Sequence, residues 1–246
     1  MHKLPLGDQP APETADELGE SPLHGFQGDR GRTTPPRTVP AGLTIALSRE
    51  AGARGGSIAR RAGRLLGWQV YDQELLEYMA QDATVRQGVA ENLARPIVDW
   101  VETRLQELLQ TEELGRQPFV VHLARVMLVL GAQGNVVLLG RGAGCILPAD
   151  STLNVRVVAP LQDRIAYMSQ WLRLTEAEAA ERVRLRDQRR AEFVETHFHR
   201  RPDDVHQYDL LLNSSLLGEE LCADLIVRAA RARASHWGGR QGETQG

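Results

Sequence analysis

A chain of 246 residues with 42% hydrophobic and 25% charged residues has an ordinary globular composition and enough length to bury a sizeable core. Its formal net charge of −3 removes any general electrostatic argument for nucleic acid or an anionic membrane as partner. No apolar run approaches the roughly 18 residues of a membrane span; Cys145 and Cys222 fit neither a metal spacing nor a disulfide framework, and the N-terminus lacks a signal-peptide apolar core, so a reduced, cytoplasmic protein is expected.

Residues 1–41 hold seven of the twelve prolines and few large apolar side chains. Such a segment cannot bury enough surface to offset its ordering entropy, which predicts a disordered tail. The folded domain is expected over residues 42–235, with a second disordered tail over 236–246. Leu43-Thr-Ile-Ala-Leu47 reads as a short apolar strand. The Gly-rich turn Gly52-Ala-Arg-Gly-Gly-Ser57 follows, then a helix from Ile58 to Leu66 ended by Gly67 in the left-handed position. Trp68 to Tyr71 forms a second strand, which completes a βαβ unit. Residues 73–130 read as a helical insertion divided near Pro96. Within it Val89, Leu93, Ile97, Val101, Leu105 and Leu108 recur at three- and four-residue steps. That stripe fits internal packing, and a homodimer through residues 85–110 is the alternative.

Asn135 to Leu139 contains a fully apolar run suited to a central parallel strand. Leu153 to Val158 is a strand and Leu161 to Leu172 a helix. Thr175 to Phe193 is a charged helix opened by the capping signal Thr175-Glu-Ala-Glu178. Leu210 to Leu212 is the last strand and Glu219 to Arg233 the last amphipathic helix. Strands alternating with helices predict an α/β, doubly wound parallel sheet.

In such sheets ligands bind beyond the carboxyl ends of the strands. The marked residues fall there: the Gly-rich loop, Asp72, Arg141, Ala159-Pro160 and Asn213-Ser-Ser215. A Gly-rich loop entering a helix presents backbone N–H groups and the positive end of the helix dipole to an anion. Gly52, Gly55 and Gly56 let the backbone curl around a phosphate, and Ser57 is placed to ligate Mg²⁺. A plain tight turn fits the same residues, because the loop holds no lysine. Lys3 is the chain's one lysine, so any cation acting on a phosphate in the domain is an arginine. Arg186, Arg189 and Arg190 lie within about one helical turn, with Asp187 in register to pair with Arg184 or Arg190. They read as a solvated, salt-bridged face or as an arginine lid over transferred phosphate.

These pieces, in this order, resemble the cytidylate kinase-like family of P-loop kinases over Leu43 to Arg233. Thr44 through Ser57 looks like that family's strand and phosphate loop, Ile-Ala-Ile-Asp-Gly-Pro-Ser-Gly-x-Gly-Lys-Gly-Thr. Aligned without gaps from Ile45, Gly55 falls on the family lysine and Ser57 on its threonine. Tyr71-Asp72 resembles the segment leading to the aspartate of the monophosphate site, and Gly140-Arg141-Gly142 resembles its Gly-Arg-Asp. Arg186-Asp187-x-x-Arg190-Ala191 is similar to the lid motif, and Tyr208 through Asn213 to the last strand. The variant loop Ser48-Arg49-Glu50-x-Gly52-x-x-Gly55-Gly56-Ser57 looks most like a divergent bacterial branch.

The resemblance implies a P-loop NTPase-type fold with helical monophosphate-binding and lid insertions. It also implies phosphoryl transfer from ATP with Mg²⁺ to a nucleoside monophosphate, cytidine among the candidates. Gly52, Gly55, Gly56 and Ser57 would hold donor phosphates. Asp72, Arg141 and Asp187 would hold the acceptor, and Arg54, Arg186 and Arg190 would act in transfer. The lysine that follows the β- and γ-phosphates in the parent kinases is missing, and one lost transition-state donor costs about 10²–10³ in rate. Arg54 or Arg49 could replace its charge, and a nucleotide-binding regulator without catalysis is the rival reading.

Overall fold

The computed structural model describes residues 39–82 and 93–243. The expected N-terminal tail, apart from its last residues, and Val89 of the apolar stripe lie outside them. Five strands form one parallel sheet: β1 (Thr44–Arg49), β2 (Gln69–Tyr71), β3 (Val136–Leu139), β4 (Thr152–Val158) and β5 (Leu210–Asn213). Their spatial order is β2-β3-β1-β4-β5, so β1 is central and the chain reverses direction around it. Register is fixed on both sides of β1, with Ala46 opposite Leu138 and Asn154. The doubly wound parallel sheet expected from the alternating pattern is the one observed.

Both faces are covered. Leu43, Ile45 and Leu47 point to one face with Val137, Leu139, Val155 and Val157. There they meet Ile58, Ala59 and Ala62 of α1 (Gly55–Leu66) and Cys222, Ile226 and Ala230 of the last helix. The helical segment between β2 and β3 contains α2 (Gln73–Gln81), α3 (Arg95–Gln110) and α4 (Pro118–Gln133). Helix α4 is apolar almost all round, and Leu123, Met127, Leu128 and Leu130 are fully buried. Val101, Leu105 and Leu108 of α3 are buried where α3 packs on α4, while Leu93 and Ile97 of the stripe are only partly buried. Pro96 stands in the first turn of α3, where its missing N–H costs nothing.

Short α5 (Ala143–Ile146) follows β3, and α6 (Leu161–Leu172) follows β4. Helix α7 (Glu176–Phe198) opens with the expected capping box: Glu178 N donates to Thr175 Oγ1 and Thr175 N donates to Glu178 Oε2. It runs five residues beyond Phe193 and packs on α6 through Ile165, Met168, Ala179 and Val183. Helix α1 begins at Gly55, not Ile58, because the curled loop before it already sets the helical turn. The last helix, α8 (Ser214–Glu243), starts earlier and ends later than the expected Glu219 to Arg233. Asn213 Oδ1 accepts from Ser215 N and Leu216 N, so a first turn forms before Gly218 kinks the helix. Beyond Arg233 no proline interrupts it. Among the described residues no helix is long and apolar enough to cross a membrane.

Candidate phosphate-binding site

Strand β1 ends in Ser48 and Arg49 at the carboxyl rim, and the loop Glu50–Arg54 turns back toward α1. The turn is closed by Ala53 N donating to the Glu50 carbonyl at 3.2 Å and by Glu50 N donating to Val157 O at 3.1 Å. Gly52 has φ +82, and a Cβ there would lie 2.6 Å from the Arg164 carbonyl oxygen. No other residue fits that position without displacing backbone. Arg54 also takes a left-handed conformation, φ 58, as the N-cap of α1. Gly55, Gly56 and Ser57 therefore form the first helical turn, whose N–H groups have no intrahelical acceptor. Backbone donors and the helix dipole converge beside β1, the arrangement that holds anions.

The loop is tied down by a residue that the sequence reading passed over. Arg164 of α6 is buried, at 8% exposure, yet charged. Its Nε donates to Ala159 O at 3.0 Å, and its Nη1 donates to Ala51 O at 3.1 Å and to Asp187 Oδ2 at 2.5 Å. Glu50 Oε2 lies 3.3 Å from the Arg164 Nε and also accepts from Ala159 N at 3.1 Å. Asp187 Oδ1 in turn accepts from Ala51 N at 2.7 Å. One guanidinium and two carboxylates thus join the loop, the exit of β4 and α7. The available signal was an arginine at the spacing of Ile165 and Met168 on a buried face, where a charge needs partners.

The predicted residues divide into two groups. Arg141 and Arg190 line one pocket at the carboxyl rim together with Arg49, Arg156, Phe193 and Tyr208. Arg141, between Gly140 and Gly142, shares their positive φ and lies with its guanidinium 4.6 Å over the Phe193 ring. It pairs with Glu77 of α2, and its buried Nε has no partner among the described residues. Arg190 Nη1 donates to Arg49 O at 3.3 Å and stands 4.0 Å from Asp187. Arg156 reaches the Tyr208 hydroxyl at 3.5 Å. Asp72 caps α2, accepting from Leu75 N at 3.0 Å, and is the carboxylate whose field supports Arg49. Arg186 is half-buried and adds positive potential at Arg49 and Arg190.

Arg54, Ser57 and Asp187 lie elsewhere. The Arg54 guanidinium sits 4.9 Å over the Tyr167 ring and 3.8 Å from Glu219, on the flank formed by α6 and α8. The Ser57 hydroxyl faces the Tyr167 hydroxyl on the same flank. Asp187 belongs to the Arg164 junction and does not line the pocket.

The pocket's charge is unbalanced. Burial, then the nearby guanidiniums of Arg190 and Arg141, pull Arg49 down to about 9, with Asp72 acting in the opposite direction. Arg190 is lowered as well, chiefly by burial. At neutral pH Arg49 stays protonated, and its shift expresses the cost of burial first and of the neighbouring guanidiniums second, both of which an anion would relieve.

The solved structure of an uncharacterized protein from Eubacterium ventriosum aligns with a TM-score of 0.54 at 14% identity, covering 77% of this chain and 98% of that one. Shikimate kinase from Acinetobacter baumannii, in complex with shikimate, aligns at 15% identity with a TM-score of 0.43, covering 80% of this chain and 95% of that one. A uronate isomerase from Corynebacterium glutamicum is 34% identical over 92 residues, which is 37% of this chain; the match spans only 18% of the isomerase's length. The family model described as "Cytidylate kinase-like family" matches residues 44–216, which takes in the five strands, the Gly-rich loop and the pocket arginines. The chain belongs to the cytidylate kinase-like family.

Proposed function

We propose that this protein transfers the γ-phosphoryl group of ATP to a nucleoside monophosphate or related phosphate acceptor, with cytidine monophosphate the first candidate. The observation that carries the reading is the convergence of Arg49, Arg141, Arg156 and Arg190 on one rim pocket, beside the open first turn of α1. Phosphoryl transfer asks a protein mainly for positioning and charge stabilisation, and this edge supplies both.

In this reading the amides of Gly55, Gly56 and Ser57 cradle the donor phosphates, with Gly52 shaping the curl. Arg190 and Arg186 on α7 cover the transferring group. Arg141, held by Glu77 and Phe193, and Asp72 orient the acceptor, whose ring lies against Phe193 and Tyr208. The Ser57 hydroxyl is a hard oxygen donor in the first turn of α1, the donor type that Mg²⁺ accepts alongside phosphate oxygens. It fits that ion once it turns from Tyr167 to the metal. Asp187 acts through the loop, by fixing Ala51 and Arg164. In this reading the protein works in the cytoplasm, where ATP is at hand.

One observation favours the rival, a nucleotide-binding regulator without catalysis: Gly55 stands where the family loop carries its lysine. Binding is common to both readings and is tested first. In thermal-shift measurements with Mg²⁺ and ATP, ADP, CMP, UMP or dCMP, a true ligand at about 100 times its Kd should stabilise the protein by roughly 2.7 kcal/mol. For a chain of this size that is about 5–10 °C. Flat melting curves with every nucleotide at millimolar concentration would remove both readings.

A further inference from the structure

We propose that Arg49 is the phosphate-following cation of this loop, its side chain having taken over the place that a lysine at position 55 would fill. The inference rests on the phosphotransferase reading of the same site.

The gap-free alignment from Ile45 contains a reciprocal exchange. Position 49 carries arginine where the family loop has its first glycine, and position 55 carries glycine where it has lysine. The structure gives the exchange a steric cause. A Cβ on Gly55 would lie 2.5 Å from Arg49 Cβ and 2.8 Å from Arg49 Cγ. No side chain can leave α1 at position 55 while Arg49 follows its present course, so the glycine makes room for the arginine.

From the end of β1 the Arg49 side chain passes beneath the first turn of α1, and its guanidinium packs against Gly140 at the end of β3. Gly140 must also lack a side chain, since a Cβ there would strike Arg49 Nη1 and its φ is +89. Arg49 therefore runs from the amides assigned to the donor to the pocket assigned to the acceptor, the interval across which a phosphoryl group moves.

The charge at the end of this path is free to act. Among the described residues Arg49 forms no ion pair, whereas Arg54, Arg141 and Arg190 each have a carboxylate within 4 Å. Its surroundings are dominated by Arg190, Arg141 and Arg186, with Asp72 as the one opposing field. A desolvated, unpaired guanidinium is costly unless an anion completes it, and its planar fork suits two phosphoryl oxygens at once. Arg54, the other candidate, is held by Tyr167 and Glu219.

The exchange predicts how paired variants behave. In the full-length protein, Arg49→Gly should lower the transfer rate from ATP by about 10²–10³-fold. Gly55→Lys alone should also be impaired, because lysine and Arg49 compete for one space. The double variant Arg49→Gly/Gly55→Lys, with the cation in the family position, should recover at least about tenfold over either single variant. Arg49→Gln, which keeps most of the side-chain packing, serves as the variant least exposed to misfolding, and it should be as inactive as Arg49→Gly. Activity of Arg49→Gln within about threefold of the parent, or a double variant no better than its worse single, would overturn the proposal. If the parent protein turns over no acceptor, the phosphotransferase reading fails separately. The proposal is then judged on the ratio of ADP·Mg²⁺ to adenosine affinity by titration calorimetry. It stands if that ratio collapses in Arg49→Gln and returns in the double variant, and it falls if the ratio is unchanged.

Discussion

Arg164→Met is expected to destabilise the protein by about 3 kcal/mol, the lower end of what removing one partner of a buried ion pair costs. Methionine fills much of the same volume, so the loss comes from polar groups and not from a cavity. The Ala51 and Ala159 carbonyls lose their donor, and Glu50 and Asp187 lose the cation between them. Both carboxylates keep a backbone N–H and partial solvent access, which holds the cost below the upper limit. Thermal unfolding should show a fall of about 6–12 °C in Tm. Because the junction joins the Gly-rich loop to α7, nucleotide affinity should fall with it. A melting temperature within 2 °C of the parent would mean that the junction contributes nothing to the fold.

Arg190→Gln should act in the opposite sense, with a large effect on rate and almost none on stability. Its 4.0 Å pairing with half-exposed Asp187 is worth at most about 1 kcal/mol. Against that, the substitution removes a positive charge beside Arg49. The free protein should melt within a degree or two of the parent, or slightly above it. Transfer should slow by about 10²–10³-fold, the scale for one donor acting on transition-state charge. The gain in Tm on adding ADP·Mg²⁺ should shrink as well. Steady-state rates and melting curves on the same preparation give both readouts. An unchanged kcat would exclude Arg190 from the transferring group.

Much of this architecture was legible because local and global signals agree. The Leu161 to Leu172 helix appears with the expected bounds, Thr175 and Glu178 close their capping box, and Gly67 ends α1 with φ +71. The apolar run before Gly140 is the buried strand beside β1. The site was harder to read, because side-chain direction depends on backbone states that residue identity does not fix. Arg54 looked like the natural replacement for the missing lysine, one residue away along the chain. Its left-handed φ turns the side chain toward Tyr167, while Arg49, six residues before Gly55, passes under the helix. Arg164 sits in an apolar helical register that reads as packing, and its hydrogen-bond partners lie 5 to 113 residues away in sequence. Asp187 pairs close to Arg190 as the helical spacing suggested, yet its short hydrogen bonds go to Ala51 and Arg164 on other elements.

The most direct measurement is transfer of radiolabel from γ-³²P-ATP with Mg²⁺ to a panel of monophosphates, CMP, dCMP, UMP and AMP among them, resolved by chromatography. The account predicts a labelled diphosphate from at least one acceptor, with formation abolished or sharply reduced in Arg49→Gln. Tight binding of ATP and of a monophosphate with no labelled product from any acceptor would contradict it, and would leave a nucleotide sensor built on a kinase fold.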